Sequence, residues 1–179
     1  VEAIYRLKGR ERGKALPIVA ADVAQLLALG VVSDCEPLAW ARPHWPAAIT
    51  MILPLSAPIA ASAGVPTIAA RIPAHEGLRT LLTDLGHALT ATSANPSGES
   101  PFSDPVAVRN WLATSGEEFL VVDQGETAGG PPSTLVELRD ELVDELGLGS
   151  LHERSVRRDL EALQAAGIDV GQQDETRGK

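Results

Sequence analysis

The chain has 179 residues, 44% of them hydrophobic, which is enough for one domain with a sizeable core. Its formal net charge of −9 disfavours nonspecific binding to the nucleic-acid backbone, because that affinity needs a basic surface. No run approaches the ~20 apolar residues of a membrane span, and no signal-peptide pattern opens the chain, so we expect a cytoplasmic protein. A single cysteine, Cys35, excludes an internal disulfide and a Cys-based zinc site.

The first half of the chain predicts alternating helices and strands. Apolar spacing indicates the end of a helix over residues 1–7, a buried strand over 16–20 and a helix over 21–29, and then strands over 49–55 and 67–72. In the last strand Ile68, Ala70 and Ile72 fall on one face. Arg71 should therefore point away from the apolar face, because side chains alternate along a strand.

The second half continues the alternation. We expect a helix over residues 76–85 that His75 caps and Gly86 ends, a strand over 88–92, and a helix through residue 113 with Asp104 as its cap. Strands over 119–122 and 134–138 should follow, separated by a Gly- and Pro-rich loop. The pattern predicts an α/β (α+β) domain over residues 1–140, with a twisted mixed sheet flanked by helices. Residues 141–179 predict a small helical appendage with a disordered tail.

Two polar motifs could serve an anionic ligand. Lys8-Gly9-Arg10 lies in a run, residues 6–14, that holds five of the chain's fifteen Lys and Arg residues. Lys8 and Arg10 would share a face if the chain were extended, and ammonium and guanidinium groups both neutralise phosphate. The second motif, residues 93–98, supplies Ser93 and Asn95 at a turn after a predicted strand. Lys8-Gly9-Arg10 alone would be better interpreted as a solvated basic loop, and residues 93–96 alone as an ordinary turn. Only their combination favours a phosphate-handling pocket.

Both motifs, with three further segments in the same order, resemble the threonylcarbamoyl-AMP synthase family (the YrdC-type domain). The family's K-x-R and S-x-N elements correspond to Lys8-Gly9-Arg10 and Ser93-Ala94-Asn95. Its W-P-G-P-x-T, G-x-R-x-P-x-H and S-T-[VI]-V segments are similar to residues 45–50, 70–75 and 133–136. The resemblance therefore covers residues 1 to about 138.

The resemblance implies an ATP-dependent nucleotidyltransferase. It would join L-threonine, bicarbonate and ATP into threonylcarbamoyl-adenylate with release of pyrophosphate, for the t6A base of tRNA. Magnesium would accompany ATP without a metal site of the protein's own, and tRNA or proteins of the t6A machinery would be its partners. The resemblance places Lys8, Arg10, Ser93 and Asn95 at the reacting groups, and Thr50, Arg71 and Ser133 at the substrates or nucleotide.

The sequence also departs from the family's pattern. Nothing matches the family's opening P-T-[DE]-T-V-Y-G-L motif, so we expect the domain to be incomplete at its N-terminus and its activity alone to be weak. Ala47 replaces a glycine, and Ala69-Ala70 replaces a Val-Gly pair. Extra methyl groups at these positions would narrow a ligand pocket.

Two alternatives remain open from the sequence. The K-x-R and S-x-N elements recur in carbamoyl-adenylate-forming domains that use another carbamoyl source. A nucleic-acid-binding or regulatory protein is the second alternative, because residues 155–168 are similar to the recognition helix of DeoR-type winged helix-turn-helix repressors. We favour an amphipathic packing helix over DNA binding for that segment.

Overall fold

Residues 1–127 and 133–138 are described by the structure, a computed structural model. The helices in this part are α1 Glu2–Lys8, α2 Val23–Ala28, α3 Glu36–Ala41, α4 Glu76–Leu85 and α5 Pro105–Ala113. The strands are β1 Ile18–Val19, β2 Ile49–Pro54, β3 Thr67–Arg71, β4 Leu89–Thr90 and β5 Thr134–Val136. Single 3-10 turns lie at Arg42–His44 and Ala60–Ser62.

The strands form one mixed sheet in the order β4-β1-β3-β2-β5. β1 runs parallel to β3, with Ile18 paired to Ala70, and antiparallel to β4. β2 runs antiparallel to β3, with Met51 paired to Ala70, and parallel to β5. This arrangement confirms the expected α/β fold with a mixed sheet flanked by helices.

One face of the sheet carries the hydrophobic core. Met51 and Ala70, opposite each other on β2 and β3, are fully buried. Helices α1, α2 and α3 cover this face with Tyr5, Leu26 and Leu38. Because side chains alternate along a strand, Thr50 and Arg71 point to the opposite face. The strand pattern thus determines that polar side chains gather on the second face.

The helix boundaries follow capping chemistry. Asp22 and Asp104 accept backbone N–H groups of Gln25 and Val106 at the starts of α2 and α5. α4 spans the predicted residues, His75 accepts from Leu78 N at its start, and Gly86 ends it with a φ of 72°. The predicted cap at His75 and stop at Gly86 are therefore confirmed.

The prediction of a strand over residues 119–122 is wrong. Those residues form no strand, and Leu120 is 92% exposed. An isolated extended segment has no ladder to satisfy its backbone groups, and no strand in the described residues lies beside it. Helix α3, conversely, was missed: Pro37 stands in its first turn, which its rigid φ favours.

The predicted appendage, residues 141–179, lies outside the described residues, as do residues 128–132 of the Gly- and Pro-rich loop. The domain boundary at residue 140 therefore stays a prediction.

Candidate functional site

Lys8 joins the two predicted motifs directly. At the end of α1, its ammonium donates to Ser93 O at 2.5 Å, to Asn95 O at 2.7 Å and to Asn95 Oδ1 at 2.8 Å. Backbone contact adds to this, because Ser97 N donates to Lys8 O at 2.8 Å. Residues more than eighty positions apart in sequence are thus held together by one side chain, and we call residues 93–97 the serine-asparagine loop.

Asn95 is the other buried member of this contact. Lys8 and Asn95 are only 5% and 7% exposed. The Asn95 amide also accepts from Ser93 Oγ at 2.5 Å and donates to Glu99 O just after the loop, so both ends of the amide are bonded. Ser93 itself is exposed. Ser93 is therefore the most exposed residue of the Lys8, Ser93 and Asn95 group, although its hydroxyl donates to Asn95 Oδ1.

Lys8 and Arg10 do not share an extended face, contrary to the expectation from their spacing. Gly9 has a φ of 61° and a ψ of 32°, the left-handed conformation that ends α1. The chain reverses there, so Lys8 belongs to the last helical turn and Arg10 to the following loop. Arg10 is half-buried, and its Nη2 donates to Ala15 O at 3.0 Å. Its Nε is buried without a hydrogen-bond partner in the part of the chain described.

Burial lowers the pKa of Lys8, because a desolvated ammonium is disfavoured, and the charge of Arg10 lowers it further. The Lys8 ammonium also lies 5.9 Å from the centroid of the Trp111 ring on α5. Trp111 was not predicted from the sequence. A lone tryptophan on an amphipathic helix gives no signal that it will cover a lysine from α1.

The rest of the basic run is paired with carboxylates at the surface. Arg6 contacts Glu117 at 2.8 Å, Arg12 contacts Glu2 at 3.3 Å and Lys14 contacts Glu11 at 3.1 Å. Since Lys8 is buried and Arg10 half-buried, the run presents no free basic surface in the described residues. This weighs against binding of the nucleic-acid backbone through residues 6–14.

A second group of predicted residues lies on the open face of the sheet. Thr50 and Ser133 share a hydrogen bond of 2.8 Å between their hydroxyl oxygens. Arg71 lines a cleft of about 410 Å³ together with Ala47, Ala48, Pro73, Ala74, His75 and Leu78. Its guanidinium forms no hydrogen bond or ion pair with any residue in the described ranges. Among the residues that the structure describes, Arg71 is therefore a cation whose donors are not used.

His75 adds a second donor to this cleft. Its Nδ1 accepts the N–H of Leu78, which in the neutral ring leaves the proton on Nε2. Two sequence departures differ in their effect here. Ala47 lines the cleft, whereas Ala70 is fully buried in the core and does not narrow it.

The two groups lie toward opposite ends of the sheet. Val19 pairs with Arg71 and with Leu89, and antiparallel β4 then runs away from that level toward Ser93. Thr50 lies opposite Arg71 and bonds Ser133, whereas Ser93 follows β4 and is bonded to Lys8 and Asn95. Within residues 1–127 and 133–138 we find no group of three or more His, Cys, Asp and Glu side chains suited to a metal. No helix in those ranges has the length and hydropathy to cross a membrane.

This fold and these residues define an α/β domain that holds cationic side chains toward both ends of one mixed sheet. Residues 1–146 match the family model Sua5_yciO_yrdC, described as "Telomere recombination". The chain belongs to this family, as its motifs predicted.

Named relatives agree with that assignment. A threonylcarbamoyl-AMP synthase of Idiomarina loihiensis is 34% identical over 142 residues, which cover 76% of this chain and 74% of that protein. The crystal structure of Pyrococcus abyssi Sua5 complexed with L-threonine is 31% identical and has a TM-score of 0.68. That match covers 78% of this chain but 41% of the Sua5 chain. Escherichia coli YciO, at 24% identity and a TM-score of 0.61, shares the fold.

The resemblance of residues 155–168 to a repressor recognition helix is not borne out by these comparisons. Those residues also lie outside the described part of the chain.

Proposed function

We propose that this chain is a threonylcarbamoyl-AMP synthase acting on L-threonine, bicarbonate and ATP. The observation that carries the proposal is the direct contact of Lys8 with Ser93 and Asn95, which joins the K-x-R and S-x-N motifs into one group. Relatives at about one-third identity that bear this enzyme's name support it.

The reaction needs positioned charge more than covalent help. The threonine amine and bicarbonate combine to a carbamate with loss of water, and a carbamate oxygen then attacks the α-phosphorus of ATP. The bond from that phosphorus to the bridging oxygen breaks, and pyrophosphate leaves. Holding the reactants in line and neutralising phosphate charge supply most of the rate enhancement in such transfers.

We assign the reachable polar groups to the substrates. Arg10 and Ser93 are proposed to meet the phosphates at one end of the sheet. At the other end, the Arg71 guanidinium offers a fork of N–H donors to a carboxylate or phosphate in a cleft that His75 also lines. Thr50 and Ser133, whose hydroxyl groups are hydrogen-bonded to each other, lie on the same face as Arg71. We propose that these hydroxyl groups contact the substrate that Arg71 binds.

Magnesium is proposed to enter with ATP. The donors around Lys8 and Ser93 are ammonium, amide and hydroxyl groups, and Mg²⁺ prefers oxygen ligands from phosphates, carboxylates and water. The nucleotide and water would thus supply most of its coordination, and the protein residues would neutralise the remaining phosphate charge. We further propose that the product passes to tRNA through the t6A machinery in the cytoplasm.

Pyrophosphate release tests the proposal. The purified chain is supplied with ATP, Mg²⁺, threonine and bicarbonate, and each component is omitted in turn. Release that requires both threonine and bicarbonate is the expected result. Release that ignores threonine, or that follows another carbamoyl donor, would point instead to the related carbamoyl-adenylate-forming class. Binding to tRNA or duplex DNA at physiological salt without turnover would contradict the enzyme assignment altogether.

A further inference from the structure

Lys8 has no donor left for a ligand in this structure. A lysine ammonium carries three N–H groups and no lone pair, and its three donors go to Ser93 O, Asn95 O and Asn95 Oδ1. For Lys8 to bind a phosphate it must release one of these oxygens. The Asn95 backbone oxygen belongs to a residue that is 7% exposed, so leaving it without the Lys8 donor is costly.

The backbone of Lys8 makes the same attachment. Its carbonyl oxygen accepts from Ser97 N at 2.8 Å, so one residue bonds the serine-asparagine loop at three positions: Ser93, Asn95 and Ser97. Trp111 covers the ammonium from α5. The residue therefore joins α1, the loop and α5.

Two other residues of the motifs are less buried than Lys8. Ser93 is exposed, although its hydroxyl donates to Asn95 Oδ1, and Arg10 is half-buried, with Nη2 bonded to Ala15 O and a buried Nε without a partner in the described residues. Ser93 is bonded directly to Lys8, and Arg10 follows Lys8 by two residues in the chain. The position of Ser93 relative to Arg10 depends on the loop that Lys8 holds.

We infer that Lys8 is a positioning residue, which fixes the serine-asparagine loop in the nucleotide site and does not itself bind phosphate. The part of this inference that concerns turnover rests on the proposed function. The part that concerns the loop does not.

The test uses Lys8→Met, which keeps the length of the side chain and removes all three donors. The matched control is Lys14→Met, at an exposed lysine of the same basic run whose ammonium bonds only Glu11 in the described residues. Unfolding by urea, ATP affinity by equilibrium dialysis, and kcat and KM for pyrophosphate release are measured for each variant. All assays run at a temperature where the variant is folded.

A positioning role predicts that stability and kcat fall while KM for ATP stays nearly unchanged. Lys8→Met should lower the folded-to-unfolded ratio by about thirtyfold and kcat by about tenfold, with KM for ATP within about threefold of the original. Lys14→Met should change none of them. A KM or Kd for ATP raised about tenfold with an unchanged unfolding midpoint would overturn the inference, because Lys8 would then contact phosphate directly. Lost stability with an unchanged kcat would overturn it as well, since the residue would only support the fold.

Lys8→Arg covers the case in which Lys8→Met does not fold. Arginine retains the charge and binds phosphate well, but its planar fork does not reproduce three bonds from one nitrogen. Positioning predicts a fall in kcat of about tenfold at near-original KM, whereas direct phosphate contact predicts near-original values of both. If the unaltered chain shows no turnover, the proposed function fails, and ATP affinity compared with the unfolding midpoint still decides whether Lys8 contacts phosphate or holds the loop.

Discussion

Lys8 and Arg71 are both cations that sequence motifs place near a ligand, yet the protein surrounds them in opposite ways. Lys8 is 5% exposed, and all three of its donors are bonded to one loop. Arg71 is half-buried beside a cleft of about 410 Å³, without a hydrogen-bond partner among the described residues. A positive charge in a motif is therefore not evidence of ligand contact by itself. Its donors must first be counted.

The difference arises from the backbone under each residue. Lys8 ends a helix whose preceding turn carries Tyr5 into the core, so its side chain starts from a buried position. Arg71 alternates with Ala70 along β3, so burial of Ala70 turns Arg71 to the open face. Helical and strand geometry thus separate a structural cation from an available one.

Asn95→Leu should produce the largest effect in this comparison. It removes the Oδ1 acceptor of Lys8 and the donor to Glu99 O, and it leaves a buried ammonium with an unused proton. Since hydrogen bonds to charged groups each contribute roughly 1.5–3 kcal/mol, we expect a loss of about 3 kcal/mol in the free energy of unfolding. Asn110→Leu, at an exposed position of α5, should stay within about 0.5 kcal/mol. Equal urea midpoints for the two variants would remove the distinction between Lys8 and Arg71.

Arg71→Met should come next and should act on turnover instead of stability. Loss of a charge-assisted contact of about 2 kcal/mol corresponds to a fall of about thirtyfold in kcat/KM. The unfolding free energy should change by less than about 0.5 kcal/mol, because the guanidinium bonds nothing in the described residues. Whether KM rises for threonine or for ATP reports which substrate Arg71 holds. Arg12→Met, at an exposed arginine paired with Glu2, is the control, and an unchanged kcat/KM for Arg71→Met would contradict the assignment.

Removing the exposed ion pair of Arg109 and Asp123 with Asp123→Asn should give the smallest effect on the free energy of unfolding. It shows how little an exposed ion pair contributes to stability. The backbone N–H of Gly125, followed by Arg109, lowers the pKa of Asp123 below its ordinary value of 3.8. A depressed pKa in the folded state means that the contribution is full above 3.8 and is lost as pH falls through the folded value. In the Asp123→Asn variant, the free energy of unfolding should therefore fall slightly less than in the original chain as the pH is lowered below 3.8. Urea unfolding at several pH values below neutrality measures this difference. If the free energy of unfolding depends on pH in the same way in both proteins, the ion pair contributes nothing to stability.

Much of the fold could be predicted from the sequence because local signals agreed with it. Helix α4 was bounded by His75 and Gly86, and β2 and β3 by runs of apolar residues. Residues 119–122 were wrongly predicted as a strand, because β-propensity reports side chains and not whether a neighbouring strand exists. Helix α3 was missed because it is six residues long and its strongest signal is a proline.

The sequence predicted which residues belong to the candidate site but not how they are arranged. The spacing of Ser93 and Asn95 from a predicted strand placed them in one loop, and their contact with Lys8 followed the pairing of motifs. The spacing of Lys8 and Arg10 suggested a shared face, and it failed because Gly9 adopts a left-handed conformation there. Sequence also gives no count of hydrogen-bond donors already in use, which is what separates Lys8 from Arg71.

The ion pairs along the basic run reduce the positive potential that an approaching anion meets. Arg6, Arg12 and Lys14 each have a carboxylate partner, so beyond a Debye length of about 8 Å at physiological salt they add little positive potential. The whole chain carries a formal charge of −9, and an ATP anion therefore meets a repulsive field until it comes close to Arg10 or Arg71. Salt screens that repulsion over long distances before it weakens the short contacts. We therefore expect nucleotide association to be slower in dilute buffer than at moderate ionic strength, the reverse of an electrostatically steered encounter.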